Sequence, residues 1–312
     1  MAPGSCGFRA RRIVTLADGR TLPFDGLVVA TGAQARTLPI CDVVAGVYVL
    51  RDIGHARNLQ QAVATARSVA VIGAGFLGLA ATATFTELGL PVTMIDPDPE
   101  PLASRVGHAV ASRLIAFHRK HGVDVRCGTL VHSIGSAGGQ ASQVVLSTGD
   151  VVDADLILVA VGATPAVGWL RDSGLAIDDG VVCNEYLEAA PGVVAAGDVA
   201  RWQHPQRGLL RIEHRLNAAE QGAAAASSLL GHRTPFASIT YFWTDQYDVK
   251  VQAYGATHDG LTTRVVAGDF NSDRFALQYG DGTRVVGGLS WNLPRAALQL
   301  RSDIAQDLLP QP

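Results

Sequence analysis

Two of the 25 basic residues are lysines, Lys120 and Lys250, and the rest are arginines. No mechanism follows from that bias. The four cysteines, Cys6, Cys41, Cys127 and Cys183, show no C-x-x-C or C-x4-C spacing. This argues against a local redox disulfide and against a metal knuckle. Indifferent thiols in a reducing, cytoplasmic setting are expected. The net charge of −3 lacks the basic excess that a nucleic-acid partner would require. No apolar run approaches the length of a membrane span, so no membrane partner is expected. Met1 to Ala10 has no apolar core, so it does not read as a signal peptide. His118 and His121 have a metal-compatible i, i+3 spacing, but no third ligand is in view. A solvated helix end is expected there, and no metal.

What is present is a large core. The chain has 312 residues, 48% hydrophobic and 17% charged, enough for about two domains. One stretch organises it. Val69 to Ile72 is a short apolar run, as in a strand buried on both faces. Gly73, Gly75 and Gly78 follow at once as G-x-G-x-x-G. Leu79 to Leu88 reads as a helix stopped by Gly89, and Val92 to Ile95 as a second buried strand ending on Asp96.

That spacing describes a dinucleotide-binding βαβ unit. Gly73 permits a tight turn, Gly75 lets the backbone approach a pyrophosphate, and Gly78 lets helix and strand pack closely. The helix start offers free N–H groups and a positive dipole end to phosphate. Asp96, 18 residues after Gly78, can accept hydrogen bonds from an adenosine ribose. Its charge opposes a 2′-phosphate, and no arginine follows before Arg105, so NADH is favoured over NADPH. The plainer alternative is a glycine-rich turn in an α/β core, with Asp96 a solvated strand-end acid.

The rest of the chain reads in order. Ile13 to Leu16 and Thr21 to Phe24 form a hairpin about Asp18-Gly19. Asp25 to Gly32 is a buried strand running into Ala-Thr-Gly, suited to a cofactor crevice. A helix is expected over about 102–121, with Val106, Val110, Leu114 and Phe117 on one face. Gly135 to Gln140 reads as a turn, and Leu156 to Val161 as a strand entering Gly162. Val193 to Ala196 is a short strand capped by Gly197-Asp198, and Asn217 to Leu230 an alanine-rich helix. From Pro235 the texture becomes short strands and a last helix, a small α+β domain.

With these motifs set out, the sequence resembles the FAD-dependent pyridine nucleotide-disulfide oxidoreductases. The branch it resembles is the ferredoxin reductases of oxygenase and P450 systems. Phe24 to Gly32 with Arg36, Val69 to Asp96 with Ala160 to Pro165, Ala195 to Asp198, Arg211 to Gln221, and Phe242 to Gln246 occur in family order. The resemblance implies an α/β chain of Rossmann-like FAD- and NAD(P)-binding domains with a small α+β C-terminal domain. The expected limits are 1–60 for the first part of the FAD domain, 61–180 for the NAD domain, 181–233 for the second part of the FAD domain, and 234–312 for the interface domain.

By position, Gly73, Gly75, Gly78 and Asp96 would bind NADH, with Gly162 near the nicotinamide half. Thr31, Gly32 and Arg36 would line the FAD crevice. Gly197-Asp198 would meet the ribityl chain, and Arg215 and Trp243 would sit near the isoalloxazine ring. Ordinary alternatives remain for three of these: Asp198 as a helix N-cap, Trp243 as a core aromatic and Arg36 as a surface residue. The implied activity is hydride transfer from NADH to FAD, then single electrons to a ferredoxin-type iron–sulfur protein. No catalytic side chain is needed, because the cofactor carries the chemistry.

Two departures stand out. The family's own N-terminal G-x-G-x-x-G unit has no counterpart here, so the expected FAD domain is N-terminally truncated. Ala80 stands where relatives usually carry a glutamate near the flavin–nicotinamide contact. The first departure keeps open a flavin-free NADH-binding module or an inactive fragment. A disulfide reductase is the other alternative, opposed by the cysteine spacing. Arg201, Arg207, Arg211 and Arg215 form a locally basic stretch, read as a docking patch for an acidic ferredoxin or as a solvated loop.

Overall fold

The computed structural model describes residues 12–39 and 45–308. Cys6, Cys41 and the Met1–Ala10 segment lie outside those residues. The chain divides into two compact units. One takes the residues up to Gln34 and Thr164–Tyr241, the other Ala35–Ala163 and everything from Phe242. The domain limits expected at 60 and 180 therefore differ from the positions where the chain passes between units. Val47–Val49 already pairs with Leu156–Val159 in the central sheet of the second unit.

That central sheet has five parallel strands in the order Val47–Val49, Leu156–Val159, Val69–Ile72, Val92–Asp96, Asp124–Cys127. Its inner strands are buried on both faces, which is why they read as unbroken apolar runs. Val69, Val71, Met94, Leu156 and Leu158 join one core cluster, and Ala70, Ile72, Ile95, Ile157 and Val159 another. The strand order reverses direction between Val69–Ile72 and Leu156–Val159, so their carboxyl ends flank a switch-point crevice. Helix Phe76–Glu87 connects the second and third strands in sequence, Val69–Ile72 and Val92–Asp96.

The helix expected over 102–121 is two pieces, Ala103–Val106 and His108–Lys120. Gly107, at φ +80°, breaks it. The stripe Val106, Val110 and Leu114 is buried as read. The Gly135–Gln140 turn is narrower than expected. Val131–Ala137 and Gln140–Leu146 are paired strands, and only Gly138 and Gly139 turn between them. Gly135 is small because Gln143 packs over it; a Cβ there would lie 2.5 Å from Gln143 Cγ.

The chain from Phe242 belongs to the same unit. Tyr241–Gln246, Val249–Gly255, Val285–Trp291, Arg274–Gly280 and Thr262–Asp269 form, in that spatial order, an antiparallel sheet backed by helix Pro294–Leu308. This is the small α+β domain expected. Its first strand, Tyr241–Gln246, was not read as a strand. Its aromatic and buried side chains pack on the parallel-sheet half: Phe242 meets Phe76 with ring centroids 4.6 Å apart.

The other unit holds the Ile13–Thr15/Thr21–Pro23 hairpin and a short sheet in which Leu27–Val29 runs parallel to Val193–Ala195. Helix Arg215–Leu229 packs on Val193–Ala195. Trp202 is fully buried in this core, and its indole N–H donates to the Phe236 carbonyl at 3.1 Å. Among the described residues, no helix is long and apolar enough to cross a membrane.

Candidate functional site

The G-x-G-x-x-G turn forms a cradle whose glycines are each required for a different reason. Gly73 sits at φ +106°, and a Cβ on it would lie 2.4 Å from the Ala160 carbonyl oxygen of the adjoining strand end. A Cβ on Gly78 would lie 1.8 Å from the Gly73 oxygen. Gly75 has open space where its Cβ would point, and it is the N-cap of helix Phe76–Glu87 with no side chain capping that end. The first-turn N–H groups are therefore left for an outside acceptor.

Asp96 closes the cradle. Its Oδ2 accepts the Ala74 N–H at 2.6 Å and its Oδ1 accepts the Asp98 N–H at 2.8 Å. A carboxylate has about four acceptor positions, so each oxygen keeps capacity for a ribose hydroxyl. On the far side of the crevice the Arg36 N–H donates to the Gly162 carbonyl at 2.9 Å. A bare helix start, an open glycine and an acid at the neighbouring strand end fit the pyrophosphate and ribose of a dinucleotide. Gly73, Gly75, Gly78 and Asp96 are thus brought together, with Gly162 and Arg36 in the same unit.

Thr31, Gly32, Gly197, Asp198 and Arg215 belong to the other unit. Thr31 and Gly32 follow the strand Leu27–Val29, and Gly197-Asp198 follow its parallel neighbour. The Thr31 hydroxyl donates to the Ala166 carbonyl at 2.9 Å, and the Ala166 N–H donates to the Gly32 carbonyl. Arg215 is exposed at the start of helix Arg215–Leu229, which has no side-chain cap. Hydroxyl, carboxylate, guanidinium and open helix N–H groups suit a polyol chain such as the ribityl part of a flavin. The buried Asn217 Oδ1, without a hydrogen-bond partner, lies on the same helix. Trp243 lies in the C-terminal sheet and is 43% exposed.

The two histidines do something the sequence did not suggest. His118 is completely buried, so the solvated helix end is wrong for it. Gln246 Nε2 donates to Thr244 Oγ1, which leaves Gln246 Oε1 to accept from His118 Nε2–H at 2.9 Å. His118 Nδ1 then accepts from the Tyr247 hydroxyl at 3.1 Å. His121 stacks on the Tyr247 ring, centroids 3.7 Å apart. No local signal could have found this network, since Gln246 and Tyr247 are about 130 residues further on.

Burial pushes the His118 imidazole down to about 4, against the opposing hydrogen bond from Gln246. The unfolded imidazole takes a proton near pH 6.5 and the folded one does not until about 4. Stability supplied by neutral His118 is therefore full above pH 6.5 and is lost as the pH falls toward 4. The expected loss is about 3 kcal/mol over that window. Urea midpoints at pH 7 and pH 5 should drop less in a His118→Gln variant than in the parent. Equal drops would remove His118 from the acid sensitivity.

The basic stretch is less charged than its sequence. Asp178 pairs with Arg201, and Asp179 and Glu213 pair with Arg211. Arg207 and Arg215 are exposed. Cys183 is buried, and burial pushes its thiol up to about 12; burial also raises Cys127. Neither is a thiolate at neutral pH, so neither offers a sulfur nucleophile.

Residues 5–222 match the family described as "Pyridine nucleotide-disulphide oxidoreductase", and residues 241–312 match "Reductase C-terminal". The chain belongs to the pyridine nucleotide-disulphide oxidoreductase family, and it is an oxidoreductase with FAD and NAD(H) as its cofactors. Within the family it falls in the ferredoxin reductase branch. It is 36% identical to rhodocoxin reductase of Rhodococcus erythropolis over 95% of this chain and 70% of that protein. It is also 36% identical to the ferredoxin–NAD(+) reductase component of the anthranilate 1,2-dioxygenase system of Burkholderia cepacia, over 97% and 75%. Among solved structures, the covalent putidaredoxin reductase–putidaredoxin complex superposes with a TM-score of 0.89 at 29% identity, covering 96% of this chain and 73% of that one.

Proposed function

We propose that this protein is an NADH-dependent reductase that passes electrons through FAD to a ferredoxin-type iron–sulfur protein of an oxygenase or P450 system. The observation that carries the NADH half is the Asp96 carboxylate seated against the Gly73–Gly78 turn. The electron acceptor is supported by relatives named as ferredoxin reductase components and by the likeness to a reductase solved with its redox partner.

In this reading the first-turn N–H groups of helix Phe76–Glu87 hold the pyrophosphate and Asp96 the adenosine ribose. Gly162 borders the nicotinamide half. Thr31, Gly32, Gly197, Asp198 and Arg215 hold the flavin side. Bound FAD supplies the change from two-electron to one-electron chemistry. The residues up to Gln34 with Thr164–Tyr241 form the flavin domain, Ala35–Ala163 the nucleotide domain, and the chain from Phe242 the interface domain.

The test is to add FAD, gel-filter, record the visible spectrum, and assay NADH-driven reduction of a [2Fe–2S] ferredoxin. Retained flavin and acceptor reduction are expected. A colourless protein that still binds NADH overturns the reading in favour of a flavin-free NADH-binding module.

Asp96→Asn keeps the shape of the side chain and removes its charge. NADH affinity should fall roughly tenfold, the scale of one charge-assisted hydrogen bond. NADPH affinity should rise toward it. Titration with both nucleotides checks this, and two unchanged affinities would remove Asp96 from the site.

A further inference from the structure

The turn carrying Asp198 is held from both sides by side chains of its own unit. The parallel ladder between Val193–Ala195 and Leu27–Val29 ends when the Ala196 N–H donates to the Val29 carbonyl at 3.0 Å. The next N–H, that of Gly197, has no strand partner and is buried. Gln221 Oε1 accepts it at 2.8 Å. Gln221 projects from the second turn of helix Arg215–Leu229 and is 0% exposed. Gly197 stands at φ +79°, and a Cβ on it would lie 3.4 Å from Ala218 Cβ on the same helix. On the other side of the turn, Arg211 Nη1 donates to the Asp198 carbonyl at 3.3 Å. Arg211 is itself gripped by Asp179 at 3.1 Å and Glu213 at 2.6 Å.

We infer that Gln221 and Arg211 are positioning residues that fix the backbone on either side of Asp198 and so preset its carboxylate for the bound flavin. The inference rests on the proposed flavin site at Asp198. The physical reason is one of accounting. A buried N–H with no partner is costly, so the amide of Gly197 cannot turn away once Gln221 holds it. The Ala196–Gly197 peptide and the Asp198–Val199 peptide are each held, so the backbone that carries Asp198 is restrained both before and after it. Preorganisation of this kind raises affinity by removing an ordering cost on binding. The second polar end of Gln221, Nε2, has no hydrogen-bond partner. A residue kept in the core with half its amide unsatisfied is there for the other half.

The test compares Gln221→Met and Gln221→Glu in the full chain. Met matches the volume and removes the acceptor; Glu keeps an acceptor oxygen at the same reach. FAD affinity is read by visible titration. NADH affinity, which belongs to the other unit, reports that the fold is intact. Met should weaken FAD at least tenfold with NADH unchanged, and Glu should stay within about threefold of the parent. Met binding FAD like the parent overturns the inference, and so do Met and Glu weakened alike, because an acceptor oxygen at that reach would then restore nothing. If Gln221→Met does not accumulate in folded form, Arg211→Met carries the comparison under the same FAD and NADH criteria. A parent protein that takes up no FAD overturns the flavin site itself, and the inference with it.

Discussion

Gly75→Ala should leave the protein folded and abolish most of its affinity for NADH. Gly75 has φ −70° and ψ 178°, a conformation that alanine adopts freely. A Cβ there meets no protein atom within 4 Å. Alanine is the poorer N-cap by about 1 kcal/mol, and its lower unfolded-chain entropy offsets about 0.4–1 kcal/mol of that at a backbone conformation it can adopt. The methyl group instead points into the space that a pyrophosphate must enter to reach the helix N–H groups. A loss of at least about a hundredfold in affinity is expected, equivalent to about 2.7 kcal/mol, with the thermal midpoint nearly unchanged.

Gly78→Ala should behave in the opposite order. Its Cβ would lie 1.8 Å from the Gly73 oxygen, so the turn must open or the helix must move. Overpacking of this kind costs about 1–3 kcal/mol or more, and binding is lost because the cradle is deformed. The thermal midpoint separates the two variants, and NADH titration measures the common loss. A Gly75→Ala protein that binds NADH normally would mean that the pyrophosphate does not use this turn.

Trp291→Ala should destabilise the second unit by about 3–5 kcal/mol, the range for removing a buried aromatic. The ring is fully buried at the end of the C-terminal sheet. It stacks on Phe275 at 5.6 Å and meets the edge of Phe117 at 5.9 Å. Arg113, from the same helix as Phe117, places its guanidinium 5.1 Å from the Trp291 ring and 5.2 Å from Phe275. Its Nη1 donates to the Phe270 carbonyl at 2.9 Å. A cation held among aromatic faces and largely out of water is worth more than an exposed one. Truncating the tryptophan removes the apolar wall and loosens the arginine together. Urea unfolding measures the loss, and Trp291→Phe should recover much of it. A change below about 1 kcal/mol would mean that the two halves of this unit are held together elsewhere.

The parallel-sheet core and the nucleotide cradle were legible because their signals are local. Val69 to Ile72, the three glycines and Asp96 lie within 28 residues, and each obeys a short-range rule. Thr31-Gly32 and Gly197-Asp198 were legible only as separate strand ends; their adjacency comes from a parallel pairing across the chain. Residues whose partners lie far away were missed. His118 reads as a surface histidine until Gln246 and Tyr247 fold over it. Gln221 has no neighbour in sequence that needs it, because the N–H it holds belongs to Gly197. The strand Val131–Ala137 was read partly as a turn, since small residues suggest flexibility until Gln143 is seen to fill the space above Gly135. The four-arginine stretch reads as more basic than it is for the same reason, since the Asp178 and Asp179 carboxylates that pair with Arg201 and Arg211 lie upstream of it.

The pairing of Leu27–Val29 with Val193–Ala195 also sets a timetable for the nascent chain. More than 160 residues separate the two strands. At about 5–20 residues per second, the first strand leaves the ribosome roughly 8–30 s before its partner is made. Throughout that wait it is an unpaired apolar edge, the kind of segment that chaperones shield. The intervening parallel sheet can close meanwhile, bringing the two strand ends near and shortening the effective loop. Conditions that slow that sheet, such as a substitution at Gly78, should therefore lower the yield of soluble protein out of proportion to their effect on the finished fold.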